Sequence, residues 1–311
     1  PDISAETIRS VKEVAKELKY IPNLMASSLR SGKSNLIGLV IPQISYFFFP
    51  SVIHAIERVV KSKGYNLLIM NSEESYEREV ENLEILKKNS VEGILVSVTR
   101  KTESFKHFEN MINDKVPIVF FDRVVDELKV DKVLLDDFEG AYKAVNHLIE
   151  IGRKRLAIFI GSPKLLISKN RLLGYKKALF EHRIPFDEGL IFSCESPEEA
   201  ELAMNDLLKS QQVPDGIFSI SDLTLSGIMK SAFKNKIKIP EQIAIIGFSE
   251  EPLSSMYSPT ISRVKPMGYE MGECATELLF KNIDNVKLKQ EKEAQTIYLD
   301  AELILGASTM G

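Results

Sequence analysis

Six stretches of this sequence place chemically able side chains directly after an apolar run. "PQISYFFFP" (42–50) follows "LIGLVI" and gathers aromatics from Tyr46 to Phe49. Asp122-Arg123 follow "PIVFF", Asp136-Asp137 follow "DKVLL", Ser221-Asp222 follow "GIFSI", and Ser249-Glu250-Glu251 follow "IAIIGF". Arg171 closes "IGSPKLLISKNR" after "RLAIF". Hydroxyls, carboxylates and guanidinium groups around an aromatic wall suit a hydroxyl-rich ligand, a carbohydrate or nucleoside. The candidates are Tyr46, Phe48, Arg123, Asp137, Arg171, Ser221, Asp222 and Ser249. Each has a purely structural alternative. The aromatics can pack a lobe interface, Asp122 and Asp136 can cap helices or turns, and Arg171 can be an ion-paired surface base. Their convergence on strand ends makes the set stronger than its members.

Catalysis finds little support. No G-x-G-x-x-G follows the first apolar run, and there is no Walker A loop or G-x-S-x-G elbow. His54, His107, His147 and His182 are scattered over helical segments without metal-ligand spacing. An enzyme is therefore not expected, nor a cofactor or metal. The strand-end carboxylates alone keep acid–base chemistry formally open.

The elements that must position these residues follow a rhythm. "LIGLVI", "YNLLIM", "GILVSV", "PIVFFD", "RLAIFI", "GIFSIS" and "IAIIGF" are short, rich in β-branched or aromatic residues, and continuously apolar. That pattern belongs to strands buried on both faces of a parallel sheet. Helical spacing fills the intervals, near 49–63, 76–88, 140–151, 169–182, 197–209 and 223–234. Alternating strands and helices imply α/β architecture with right-handed crossovers. Two lobes accommodate the series better than one sheet, the second starting near "VDKVLLDDFEG". After Gly268 come one long helix and short strands within "TIYLDAELILG". In such sheets ligands bind beyond the carboxyl ends of the strands, where the candidates lie.

The 311 residues, 44% of them hydrophobic and 27% charged, have the composition of a globular protein. No run approaches a membrane span, so no membrane partner is expected. Two cysteines, Cys194 and Cys274, make no disulfide framework, which suits a cytoplasmic protein. Net charge is −4, yet no acidic residue stands between Glu17 and Glu57, while Lys19, Arg30 and Lys33 do. That basic segment is a possible polyanion contact.

Residues 4–18 read as a helix with Ser4 as N-cap and one apolar stripe of Ile8, Val11, Ala15 and Leu18. A lone helix of this length is marginal, so partners for the stripe are expected upstream of Pro1. Asn23 to Ser31 spans about two turns of fair helix formers, stable only when paired or docked. Ser27, Ser28, Arg30 and Lys33 suit phosphates, and Leu29 offers an apolar wedge of the kind that unstacks a base step in the minor groove.

With those residues in place, "DISAETIRSVKEVAKELKYIPNLMASSLRSGKSNLIGLVIPQIS" resembles the headpiece end, hinge helix and first core strand of the LacI/GalR family of bacterial transcription regulators. The likeness continues through "VPIVFFDRV", "DDFEGAYKAVNHLIEIGRKRLAIFIG", "NRLLGYKKAL" and "IPEQIAIIGFSEEPLSSMYSPTISRV", and so spans essentially the whole chain. It implies a homodimeric regulator, more often a repressor, with two Rossmann-like lobes of the type I periplasmic-binding-protein kind. A small effector, carbohydrate or derivative, would bind between the lobes and reposition the hinge on operator DNA. Leu29 falls at the intercalating hinge leucine, with Asn23, Ala26, Ser27, Ser28 and Arg30 in the same DNA-contacting segment. Arg171 matches the effector arginine of the R-x-x-G-[YF] motif, Asp222 the Asn-Asp pair, and Phe48 the aromatic pocket mouth. The implied divisions are headpiece 1–22, hinge 23–35, first lobe 36–138 with 267–290, second lobe 139–266 with 291–305, and tail 306–311. The base-reading helix would precede Pro1, so the chain alone is expected to show little specific DNA binding. A periplasmic-type solute-binding protein is the alternative, although residues 1–35 look like no signal peptide.

The departures from that pattern are chemical. The pocket asparagine is Ser221, the aspartate after the Gly-Phe is Ser249, and a common arginine near the end is Gly306. The aromatic region reads Ser45-Tyr46-Phe47-Phe48-Phe49. Losing an amide and a carboxylate weakens the grip on hydroxyls. It points from a simple hexose toward a bulkier, more apolar ligand, or a phosphorylated or acidic one facing Arg123 and Arg171.

Overall fold

Continuous apolar runs do become buried parallel strands, divided between two sheets. A computed structural model describes residues 4–18, 34–44, 47–290 and 293–310. The first sheet contains β1 (Leu36–Ile41), β2 (Asn66–Asn71), β3 (Gly93–Val96), β4 (Ile118–Phe121), β5 (Asp131–Leu135) and β11 (Thr296–Leu299), in the order β11-β5-β4-β3-β1-β2. The second contains β6 (Leu156–Ile160), β7 (Ile191–Ser193), β8 (Gly216–Ser219), β9 (Ala244–Phe248), β10 (Ser262–Val264) and β12 (Leu303–Ile304), in the order β12-β10-β9-β8-β6-β7. Both orders start beside the middle and wind outward in the same way, and every pairing is parallel except β10 with β12.

Helices α2 (Phe48–Ser62), α3 (Tyr76–Lys88), α4 (Lys106–Asn113) and α10 (Gly268–Leu288) cover the first sheet. The second carries α5 (Asp137–Glu150), α6 (Leu166–Glu181), α7 (Pro197–Leu208) and α8 (Asp222–Lys234), while short α9 (Glu251–Met256) follows β9. Side-chain caps fix several starts. The Asp136 carboxylate accepts from Glu139 N at 2.9 Å, Ser196 Oγ from Glu199 N at 3.1 Å, and Ser221 Oγ from Thr224 N at 3.3 Å. The chain passes between the sheets three times, after β5, β10 and β11. One apolar core runs through both lobes, with a satellite cluster on the outer face of each sheet.

Two expectations need correction. "YNLLIM" is half-exposed rather than buried on both faces, because β2 is the edge strand of its sheet. Residues 291–305 do not belong wholly to the second lobe, since β11 pairs with β5 from Thr296↔Lys132 to Leu299↔Leu135. Near the start, α1 (Ala5–Glu17) is capped by Ser4, whose Oγ accepts from Thr7 N at 3.2 Å, and Val11 and Leu18 on its stripe are exposed.

Candidate ligand-binding cleft

The carboxyl ends of the central strands of both sheets open on one cleft. From the first lobe come Gln43 after β1, Arg100 after β3, Asp122 and Arg123 after β4, and Phe48 and Phe49 at the start of α2. From the second come Asp137, Gly161 and Ser162 after β6, Arg171, Glu195 after β7, Ser221 and Asp222 after β8, and Phe248. The empty space, counted to its open mouth, is about 1060 Å³. That is ample for a small metabolite.

Arg171 is the most constrained of these groups. Its Nε donates to Asp137 Oδ1 at 2.8 Å, Nη2 lies 2.7 Å from the same oxygen, and Nη1 donates to the Ile220 carbonyl. Its guanidinium carbon lies over Phe248, 3.6 Å from the ring centre. The geometry descends from sequence through Gly174. A methyl there would sit 2.3 Å from the Phe138 carbonyl oxygen, so glycine is what lets α6 close on α5 and deliver Arg171 to Asp137. Burial pushes the Asp137 carboxyl up to about 6 against the pull of Arg171.

Across the cleft Arg123 Nη1 donates to Glu74 Oε1 at 2.7 Å, and its Nε is 4.0 Å from Asp122 Oδ2. Burial raises Glu74, but Arg123 and Arg100 outweigh it and hold the carboxyl below its ordinary value. Asp122 adopts a left-handed backbone, φ 58°, which aspartate tolerates better than most residues. Burial raises its pKa despite Arg123 and Arg171.

Phe48, Arg123, Asp137, Arg171, Ser221 and Asp222 thus come together on the cleft. Ser249 does not. It is fully buried beneath the wall, its Oγ 3.3 Å from the Glu250 carbonyl oxygen and its own carbonyl accepting from Arg263 Nη1 at 3.2 Å. Ser221 works as the cap of α8 as well as lining the site. Tyr46 and the hinge candidates Asn23, Ala26, Ser27, Ser28, Leu29 and Arg30 lie outside the described residues. The strand-end reading missed Arg100 and Glu195. Arg100 follows "GILVSVT" and was open to the same rule, whereas Glu195 follows a three-residue strand too short to show a period.

Cys194 also lines the cleft, its thiol pushed up to about 11 by burial and hence neutral and unreactive at pH 7. None of the four histidines lines it, and no cluster of metal-ligating side chains occurs among the described residues. No helix among them is long and apolar enough to cross a membrane.

The family model described as periplasmic binding proteins and the sugar binding domain of the LacI family matches residues 34–283. This chain belongs to the LacI family. The ribose operon repressor of Halalkalibacterium halodurans is 31% identical over 99% of the chain and 90% of its own length. The transcriptional regulator DegA of Bacillus subtilis is 30% identical with the same coverage. The crystal structure of the regulator CcpA of Lactococcus lactis superposes with a TM-score of 0.79 at 26% identity, over 88% of this chain and 98% of that one. These LacI-family relatives are transcription regulators rather than enzymes, and their alignment through the first 33 residues disfavours the solute-receptor alternative.

Proposed function

We propose that this LacI-family regulator works in the cytoplasm as a homodimer, binding operator DNA through the segment before β1 and a small sugar-like effector between its lobes. The observation that carries the effector reading is the cleft itself. Both lobes contribute polar groups to it, a buried Arg171–Asp137 pair stands against the ring of Phe248, and Phe48 lines the same space. A ligand touching both lobes prefers one lobe arrangement and shifts the DNA-competent population by its differential affinity. The relative named a ribose operon repressor supports a sugar as the first class to try. On this reading Leu29, with Asn23, Ala26, Ser27, Ser28 and Arg30, contacts the minor groove.

The test is thermal-shift screening against sugars, sugar phosphates and nucleobases, because a ligand bound to the native state alone raises the melting temperature. A compound found this way should change the affinity of the full protein for its operator. Arg171→Ala should lose that response and keep operator binding, while Leu29→Ala should weaken operator binding and keep the compound. Equal loss of compound binding in both variants would refute the division of labour.

A further inference from the structure

The charges in the cleft do not balance. Among the described residues, the three cations that line it are engaged: Arg171 by Asp137, Arg123 by Glu74, and Arg100 by Glu74 and Glu195. Asp222 is different. It lines the cleft at the start of α8, is 9% exposed and has no cation within 4.0 Å among the described residues; Ser249 and the Glu250 backbone donate to its carboxylate, yet its Oδ1 is left without a hydrogen-bond partner. Glu250, close enough for its backbone to donate to Asp222, does not itself line the cleft; it is 8% exposed and its Oε1 is likewise unpartnered. Gly268 marks how close this second carboxylate comes to the cleft wall. A methyl on Gly268 would lie 3.1 Å from Glu250 Oε1 and 3.1 Å from the Phe48 ring. The nearby cations look elsewhere: Arg263 donates to the Ser249 carbonyl, and Lys265 pairs with Glu270.

We propose that the Asp222–Glu250 end of the cleft is a subsite for a protonated nitrogen, so that the cleft selects a hydroxyl-bearing ligand carrying an amine over its neutral counterpart. The inference rests on the reading that the cleft binds a small hydroxyl-rich effector, and it names the chemistry of that effector. Buried carboxylate oxygens without donors are costly unless something satisfies them, and an ammonium group brings three donors and the opposite charge. A neutral hydroxyl brings one donor and no charge, and an anionic ligand would add to the repulsion. The Phe48 ring lines the same cleft and comes close to the Glu250 side of it, which adds an apolar wall. Ser249 and Glu250 fit the same picture: the carboxylate expected directly after Gly-Phe is displaced by one residue, close to Asp222, Phe48 and Gly268.

The experiment pairs D-glucose, D-galactose, D-mannose and D-ribose with their 2-amino-2-deoxy counterparts, by thermal shift and isothermal calorimetry on the whole chain at pH 7, where these amines are still mostly protonated. At least one amino compound should bind about tenfold or more tighter than its parent, as expected of a charge-assisted hydrogen bond. The preference should shrink on lowering the pH to 5.5 and collapse in Asp222→Asn and Glu250→Gln, whose folding is checked by circular dichroism. Parents binding as tightly as amines, or a preference that survives both substitutions, would overturn the subsite and leave the sugar-binding cleft standing. If no compound of either kind binds, the subsite falls and the cleft reading falls with it for these sugars.

Discussion

Arg100 of the first lobe reaches Glu195 of the second across the mouth of the cleft, Nη1 3.3 Å from Oε2. The same guanidinium lies 3.7 Å from Glu74 of its own lobe, so Arg100 is shared between a partner on its own lobe and one on the other. The backbone that presents it is pinned from beneath. Buried Glu79 accepts from Thr99 N at 2.8 Å and Thr102 Oγ1 at 2.9 Å, with His107 Nε2 at 3.0 Å.

Glu195 is about half exposed, so the inter-lobe pair is worth only about 0.2–1 kcal/mol. A double-mutant cycle of Arg100→Ala and Glu195→Ala, read by urea denaturation, should give a coupling inside that range. Its effect on lobe geometry should be plainer. Small-angle scattering of either variant without ligand should show a larger radius of gyration. An unchanged radius would mean that the pair follows closure and does not bias it.

Arg171→Ala removes one partner of a buried pair and should destabilise the fold by about 3–5 kcal/mol. Protonation offers Asp137 an escape, since its carboxyl already sits at about 6 and would rise further without the arginine. The penalty should therefore be larger at pH 8 than at pH 5 when both are measured by denaturant unfolding. Arg171→Lys should recover little, because one ammonium cannot serve Asp137 and Ile220 together while lying over Phe248.

Gly174→Ala tests how the site is held without touching it. The added methyl would meet the Phe138 carbonyl oxygen at 2.3 Å and the Ala141 side chain at 2.9 Å, so α5 and α6 must part. Overpacking of this kind costs roughly 1–3 kcal/mol. A lower urea midpoint together with weaker effector binding is expected; a normal midpoint would show that the helices have room to separate.

How much of this was legible beforehand follows from physics. The seven apolar runs became strands because short, continuously apolar stretches of β-branched and aromatic residues mark strands of a parallel sheet. That mark did not distinguish the half-exposed edge strand β2 from the buried ones. The strand-end rule then brought Phe48, Arg123, Asp137, Arg171, Ser221 and Asp222 to one cleft. Three-residue strands such as β7 and β10 carry too few positions to register a period, and Glu195 was lost with the first of them. Ser249 was misplaced for another reason. Residues just past a strand end alternate between the cleft and the protein interior, and nothing in "GFSEE" says which phase holds. The tail was misassigned at β11 because sequence reveals that a strand exists, not which sheet edge it joins.

The Asp222–Glu250 pair makes a last prediction about pH and stability. Burial, then the charge of Asp222, pushes Glu250 up to about 7, while Arg263 and Lys265 pull it down and Glu270 adds to the rise. Burial likewise pushes Asp222 up to about 6, against hydrogen bonds from Ser249 and the Glu250 backbone and the charges of Arg263 and Arg171. Both carboxyls hold protons in the folded state that the unfolded chain releases nearer 4. The stability they contribute is thus complete at acid pH and is lost as pH rises, through about 6 for Asp222 and about 7 for Glu250. For Glu250 the loss is at most about 3 kcal/mol. Melting temperatures of the native chain and of Glu250→Gln, taken from pH 4.5 to 8.5, isolate its share: the variant's curve should be flatter, should gain on the native chain between about pH 4.5 and 7, and should run parallel to it above that. Curves parallel over the whole range would mean that Glu250 titrates like an ordinary exposed glutamate, and that solvent reaches this end of the cleft.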